Sequence, residues 1–372
     1  MKIYIQMIIL MCSSFTYSQM VSTLNISPSV NITDAIIMDS SGNIFGSDYS
    51  GDKVYKIDPN GNSSVFASGL NTPNGLALNS AGELYVCDNI GNAVYVLDNQ
   101  GVFLDTIQIT NPSGIIKMKN SDSLWLTTYN PSTLYKLAPD HSLHLMHQAG
   151  VLNGPVGLCY DNNNELFVGN FSNRAVYKVQ DDTLIFWVQF PSGGLGSSLG
   201  FITYAQGGIW GTTFGSNKIY KVSSEFPDSV ILSIGGIQGS QDGLASTATF
   251  NQPNGIYATH SGDSILISDY GTGNIRVLSG GYLEDNEITD PEIDFEIAPN
   301  PVKDIFELKF SKSAPEGEIE ITSITGQVIF SKNASYAESL ELNAHEMKDG
   351  IYFVRFVAKD VNIVKRLVVS SD

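Results

Sequence analysis

Three features of the chain carry residue types that chemistry uses. His141, His144 and His147 lie close enough in sequence to suggest a metal site, since imidazole is a common ligand. On an outer β-strand, however, His144 faces away from His147, so the three rings can converge only across a bulge, and solvated edge histidines are expected. Asp48, Asp88 and Asp269 end equivalent strands of a repeated unit, with Thr128, Asn170 and Thr213 at the same place in other units. Carboxylates act as acid and base when they share a cleft that drives their pKa values apart. A carboxylate repeated from unit to unit points instead to Asx turns. The run Ser192–Ser198 is rich in glycine, as phosphate loops are, but no Lys-Ser/Thr pair and no helix follow it. No Gly-x-Ser-x-Gly elbow with a following triad is present either.

The elements that would position these residues are those of a large folded chain. It has 372 residues, 42% hydrophobic and 16% charged, with 35 glycines, which excludes a disordered tail and a fibrous repeat. Twenty Lys and Arg against 38 Asp and Glu give a net charge of −18, with no basic cluster in sequence. Nucleic acid and anionic membrane surfaces are therefore not expected as partners, because both require a positive patch. Residues 1–18 read as a secretory signal peptide: Lys2, an apolar stretch Ile3–Cys12, then small and polar residues to Ser18. The stretch is about half the roughly 20 residues that span a bilayer, and no transmembrane segment is expected in the mature chain. Lipidation at Cys12 is the weaker reading, because Met11 precedes it where a small residue belongs. Two cysteines remain, Cys87 and Cys159, in non-neighbouring units, and two buried free thiols are expected.

Between residues 19 and 283 six segments share one pattern: an apolar and aromatic strand, a short Gly or Asn turn, and a second strand. Leu84–Asp88 with Val94–Leu97 and Leu166–Asn170 with Val176–Val179 are examples. The second strands start at Val54, Val94, Leu134, Val176, Ile219 and Ile275, which are 40, 40, 42, 43 and 56 residues apart. An all-strand repeat of about 40 residues is the signature of propeller blades. Turns precede the units at Pro73-Asn74-Gly75, Pro112-Ser113-Gly114, Pro155-Val156-Gly157 and Pro253-Asn254-Gly255, with degenerate versions at Asp34-Ala35 and Leu199-Gly200. The sixth unit lacks an outer strand, and Val21–Ser27 is expected to supply it and close the ring. The fold class is thus all-β: a six-bladed β-propeller followed by a small β-sandwich. Residues 284–294 hold several acids and no base, which reads as a solvated linker.

The run from Gly235 to Gly243, together with Ala248, Phe250, Pro253–Ile256 and Asn274–Arg276, closely resembles an NHL repeat, and the other units resemble the NHL and gluconolactonase-type propellers. That resemblance implies that the middle residue of each opening turn faces the channel: Asp34, Asn74, Ser113, Val156, Leu199 and Asn254. It further implies that Asp34, Asn74 and Asn254 could hold a divalent ion, Ca²⁺ by donor type. The competing expectation is polar turn residues that satisfy backbone groups around a water-filled channel.

From residue 295 to 372, ordered motifs recur: Ala298-Pro299-Asn300-Pro301, the alternating strand Ile305–Phe310, Glu320–Gln327 with Gly326, Gly350-Ile351-Tyr352, and Val364-Lys365-Arg366-Leu367. This part resembles the type A sorting domain of the type IX secretion system, which implies handling by that machinery and delivery through the periplasm to the cell surface or medium. The expected function is an exported binding module without chemistry of its own, acting on an unknown ligand or surface partner. The alternative is a divalent-metal-dependent lactonase or related hydrolase of the gluconolactonase type. Tyr49, Tyr129, Phe171, Phe214 and Tyr270 end strands of most units and are candidates for a binding surface or for interblade packing.

Overall fold

The structure is a computed structural model that describes residues 19–148, 150–180, 183–192, 196–223, 230–279, 295–323, 328–345, 347–358 and 361–370. The signal segment 1–18, the linker 284–294, residues 193–195 of the glycine-rich run and Gly326 lie outside them. The chain divides into two compact units, Met1–Tyr282 and Leu283–Asp372. Among the described residues there are strands and turns and no helix, hence none long and apolar enough to cross a membrane.

The first unit is a six-bladed β-propeller built from antiparallel sheets. Blade one pairs Ile36–Met38, Ile44–Ser47, Val54–Ile57 and Ser63–Ala67 in that order. Blades two to five repeat the pattern from Pro73–Leu78, Pro112–Lys117, Pro155–Tyr160 and Ser198–Ala205 outward. Second strands such as Leu84–Asp88 and Leu166–Asn170 are buried along their whole length, because both faces pack on neighbouring blades. Outer strands such as Phe103–Gln108 are mostly exposed. The core is therefore a set of clusters between blades, for example Phe45, Leu76, Leu84 and Val86 between blades one and two.

Blade six comprises Pro253–Ala258, Ser264–Asp269, Asn274–Ser279 and, from the other end of the unit, Met20–Thr23. The closing strand expected at Val21–Ser27 thus exists, pairing Met20 with Ser279 and Thr23 with Arg276, and it ends sooner because the chain then crosses to blade one, where Ser27 bridges Asn62. The long insert before blade six serves this closure. Asp242 accepts hydrogen bonds from the Thr23 amide (2.9 Å) and hydroxyl (3.0 Å). Arg276 has no exposed surface; its guanidinium donates to Asp242 (2.7 Å) and to the carbonyls of Gln241 (3.0 Å) and Thr249 (2.8 Å), and it lies 3.8 Å from Asp269. Its plane also rests over the Phe250 ring, 5.1 Å from the centroid.

The second unit is a small β-sandwich. A three-stranded sheet of Phe295–Ala298, Ile305–Phe310 and Ser339–Asn343 faces a four-stranded sheet whose members include Gly317–Ser323 and Gly350–Ala358. Strict alternation places Phe306, Leu308 and Phe310 in the core with Phe356 and Leu367. Within the opening motif, the side-chain oxygen of Asn300, between Pro299 and Pro301, accepts from the Val368 amide (2.8 Å), tying that motif to the last strand. Gly350 opens the strand Gly350–Ala358, the Tyr352 hydroxyl donates to the Lys348 carbonyl (2.9 Å), and Lys365 lies 5.7 Å from the Phe295 ring centroid.

Because Arg276 joins the insert to the closing strand, Arg276→Met should destabilise the propeller by about 3–5 kcal/mol, leaving Asp269 buried without a cation. Urea unfolding measures this directly, and a midpoint equal to that of the parent would refute the assignment.

Candidate functional site

All innermost strands run the same way, so their opening turns gather at one end of the channel. Asp34, Asn74 and Ser113 are buried there, and Asn254 is partly so. The structure brings these residues together in two pairs. The Asn254 amide donates to Asp34 Oδ1 at 2.5 Å, across the junction of blades six and one. The Asn74 amide donates to Ser113 Oγ at 3.3 Å. Each pair leaves oxygens over: Asp34 Oδ2, Asn74 Oδ1 and Asn254 Oδ1 are buried with no hydrogen-bond partner among the described residues. Burial, only partly offset by the Asn254 hydrogen bond, pushes the Asp34 carboxyl well above the ordinary carboxylate range.

Glycine in these turns has a structural cause. A Cβ at Gly75 would lie 2.1 Å from the Ser113 carbonyl oxygen, one at Gly114 1.8 Å from that of Val156, and one at Gly255 2.0 Å from that of Asp34. Hydroxyls near the ends of the second strands add further ties: Ser47 donates to the Asn74 carbonyl (2.8 Å) and Thr212 to the Asn254 carbonyl (2.5 Å), each in the next blade.

Blade five departs from the expected register. Leu199 pairs with Thr213 just as Pro73 pairs with Asp88 and Pro253 with Asp269, and it is wholly buried between blades four and five. Gly200 therefore holds the middle place of the turn and Phe201 stands where other blades have Gly or Ala. The Phe201 ring packs both on the cluster of blades five and six and on that of blades one and two, so it reaches across the channel. Sequence reasoning missed this residue; aligning Ile202 with Leu76, Ile115, Leu158 and Ile256 would have exposed it.

The aromatic residues lie at the same end. Amides of Tyr129, Phe171 and Tyr270 donate to the carbonyls of Asn111, Gly154 and Gln252, each just before an opening turn. Rings of successive blades touch: Tyr129 and Phe171 at 6.0 Å between centroids, Phe171 and Phe214 at 6.4 Å, Phe214 and Tyr270 at 5.3 Å. Burial first, then the nearness of Asp34, Tyr270 and Tyr129, raises the Tyr49 phenol above its ordinary value. Four of these rings thus contact in series from blade three to blade six, with Tyr49 near Asp34, and they form an aromatic crown at the channel end that holds the unpartnered oxygens.

The other candidates resolve as structure. Asp48 accepts from Asn31 (2.8 Å) and Ser50 (2.8 Å), Asp88 from the amides of Asn71 (2.7 Å) and Gly91 (3.1 Å), and Asp269 from the Asn251 amide (2.6 Å). Each thus fastens a loop to its own hairpin. In blade three Leu145 pairs with Tyr135 and His147 with Leu134, so Met146 is a bulge that brings His144 and His147 to one face. His141 instead turns to blade two, 2.5 Å from Asp105 and 3.3 Å from the Tyr85 hydroxyl. No group of three His, Cys, Asp or Glu fit to hold a metal occurs among the described residues. Cys87 and Cys159 are free and buried, and desolvation pushes the Cys87 thiol well up.

For Ca²⁺, the three unpartnered oxygens are of the right kind. They include one carboxylate, and they supply three of the six to eight ligands that the ion takes. The remaining turn positions offer Ser113, which bonds Asn74, and the apolar Val156 and Gly200.

Residues 296–370 match the secretion system C-terminal sorting domain family. No curated protein matches the sequence. Among solved structures, the propeller is similar to a gluconolactonase from Xanthomonas campestris (15% identity, 70% of this chain and 89% of that one, TM-score 0.54). It is also similar to an auxiliary nutrient binding protein from Bacteroides thetaiotaomicron (12%, 70% and 76%, 0.58). A third similar structure is an inactive virginiamycin B lyase from Staphylococcus aureus with quinupristin (14%, 70% and 99%, 0.54). At these identities the likeness is one of fold. The sorting domain marks the chain for export by type IX secretion, to the cell surface or the medium.

A buried carboxyl with a raised pKa favours folding at low pH, and that contribution is lost as pH rises. The unfolded chain releases the Asp34 proton near pH 4 while the folded chain retains it, so stability falls above that pH. Asp34→Asn removes this slope. Its melting temperature should exceed the parent's by a few degrees at pH 7 and converge with it near pH 3, and parallel curves would contradict the buried, proton-retaining state.

Proposed function

We propose that the propeller is an exported, non-catalytic binding module whose ligand enters the crowned mouth of the channel. The observation that carries this reading is the juxtaposition of an aromatic crown with three buried, unpartnered oxygens. A ligand with an apolar or ring face for the crown, O–H or N–H donors for Asn74 and Asn254 and an acceptor for the proton-retaining Asp34 meets both requirements. The nutrient binding protein and the quinupristin-bound lyase with similar folds support a ligand at such a propeller. The chain plan is a signal peptide at 1–18, an NHL-like propeller at 19–283, a linker at 284–294 and the sorting domain at 295–372. Lys365, Tyr352, Gly350, Gly326 and the Pro299-Asn300-Pro301 turn carry the sorting motifs, and the product is displayed on the surface or released.

The same oxygens favour one second reading, a divalent-metal-dependent lactonase or related hydrolase. Asp34, Asn74 and Asn254 would hold Ca²⁺, which as a Lewis acid polarises a carbonyl oxygen. Three measurements separate the readings. Melting temperatures in EDTA and in millimolar Ca²⁺ should agree within a degree for the binding module; a large Ca²⁺-dependent rise supports the metal site. A screen of soluble oligosaccharides and cyclic peptides by thermal shift should give ligands whose affinity drops about 5- to 30-fold in Tyr129→Ala, the loss of about 1–2 kcal/mol typical of an aromatic contact. Chromatography should recover those ligands intact, whereas accumulating product would establish an enzyme.

A further inference from the structure

At the end of the channel away from the crown, the innermost strands finish around a cavity of about 720 Å³, within the roughly 300–1,000 Å³ range of small-molecule sites. Phe201 stands at its inner end, between this cavity and the crowned mouth, and aliphatic strand residues such as Leu76, Ile115 and Ile256 line its wall. The outer part is lined by Lys117, Lys119, Tyr160, Tyr204, Tyr257 and His260. A second hollow between blades three and four shares Met118, Lys119 and Tyr160 with the first and adds Lys136 and Lys178. Four of the ten Lys and Arg residues between positions 19 and 282 thus border two adjoining hollows, in a chain of net charge −18.

Nearby acids pair with two of the four lysines and leave two without an ion-pair partner among the described residues. Asp122 is 3.7 Å from Lys117 and Glu165 is 2.5 Å from Lys178. Asp39 is engaged by its own turn, accepting from the amides of Ser41 (2.9 Å) and Asn43 (2.8 Å) and from the Asn43 side chain (2.7 Å). Lys119 and Lys136 have no ion-pair partner among the described residues. The Lys119 ammonium lies 5.6 Å from the centroid of the Tyr160 ring, whose hydroxyl accepts from the Trp125 indole (2.9 Å) and is thereby held in place.

We propose that the hollow at this end of the channel is a second binding site, separate from the crowned mouth, and that it takes a small organic anion. The ligand's apolar body rests on Phe201 and the strand wall, and its carboxylate or sulfonate meets Lys119, with the Lys117–Asp122 pair beside it. Tyr160, Tyr204 and Tyr257 line it. A low-dielectric wall beside the unpaired Lys119 ammonium strengthens its attraction for an anion over that of an exposed lysine.

The probe is 8-anilinonaphthalene-1-sulfonate, titrated by fluorescence into the full chain. One saturable site is expected, weakening as salt rises. The uncharged N-phenyl-1-naphthylamine should bind about tenfold more weakly, and Lys117→Gln with Lys119→Gln should cost the sulfonate a similar factor. Tyr129→Ala, at the other mouth, should leave it unchanged. Equal binding of the two dyes, indifference to salt, loss in Tyr129→Ala, or no saturable site would each overturn the proposal. The dye comparison and the salt series use the unaltered protein, so they decide the matter even if the lysine variant fails to fold.

Discussion

Six sheets can surround a narrow channel only if their innermost strands approach one another to backbone distance. In this propeller the approach is so close that the carbonyl of one opening turn lies where a Cβ of the preceding blade would be, 1.8 Å away at Gly114. Those carbonyls would be unsatisfied in a dry interior, and hydroxyls such as Ser47 and Thr212 meet them. Glycine, carbonyl and hydroxyl therefore form one constraint that sets the radius of the ring. The polar side chains of the turns inherit their crowding from it, which is why Asp34 and Asn254 share a hydrogen bond across two blades nearest to opposite ends of the unit's sequence.

The same constraint explains the central place of Phe201. Five blades have Gly or Ala at its position, so the channel has room for one ring, and blade five supplies it. The ring touches clusters on both sides, and the two ends of the channel become chemically distinct compartments. One end is aromatic with unpartnered oxygens; the other is aliphatic with lysines. Because every innermost strand runs in the same direction, residues at the start of the strands can only reach the first end and residues at their finish only the second.

Ring closure depends on chemistry of another kind. The first strand of the unit joins the last blade, so the folded ring ties together segments more than 200 residues apart, and hydrogen bonding along Met20–Thr23 is reinforced by Asp242 and Arg276. At the wholly buried guanidinium three backbone or carboxylate acceptors replace water at Nη1 and Nη2 and the Phe250 ring lies alongside, while Nε is without a partner among the described residues. The insert that makes blade six longer than the others is what brings those acceptors to it. In the second unit Asn300 plays a comparable role, fastening the first turn to the last strand.

Strand content, the forty-residue repeat, the number of blades, the closing strand and the sorting motifs were legible in sequence because each rests on local signals: apolar alternation, turn residues and their spacing. The polar turn residues Asp34, Asn74, Ser113 and Asn254 were legible for the same reason. Their pairing was not, since Asp34 and Asn254 meet only when the ring closes. Nor was the register of blade five, where a one-residue shift along a strand moves Leu199 into the core and Phe201 into the channel, and only pairing with Thr213 and Gly211 distinguishes the two. The bulge at Met146 likewise reverses which face His147 occupies without any mark in the residues themselves. What neighbouring residues decide among themselves, the sequence alone determined. What depends on side chains from distant blades sharing one axis, such as the unpartnered oxygens and the gathered lysines, only the tertiary structure decided.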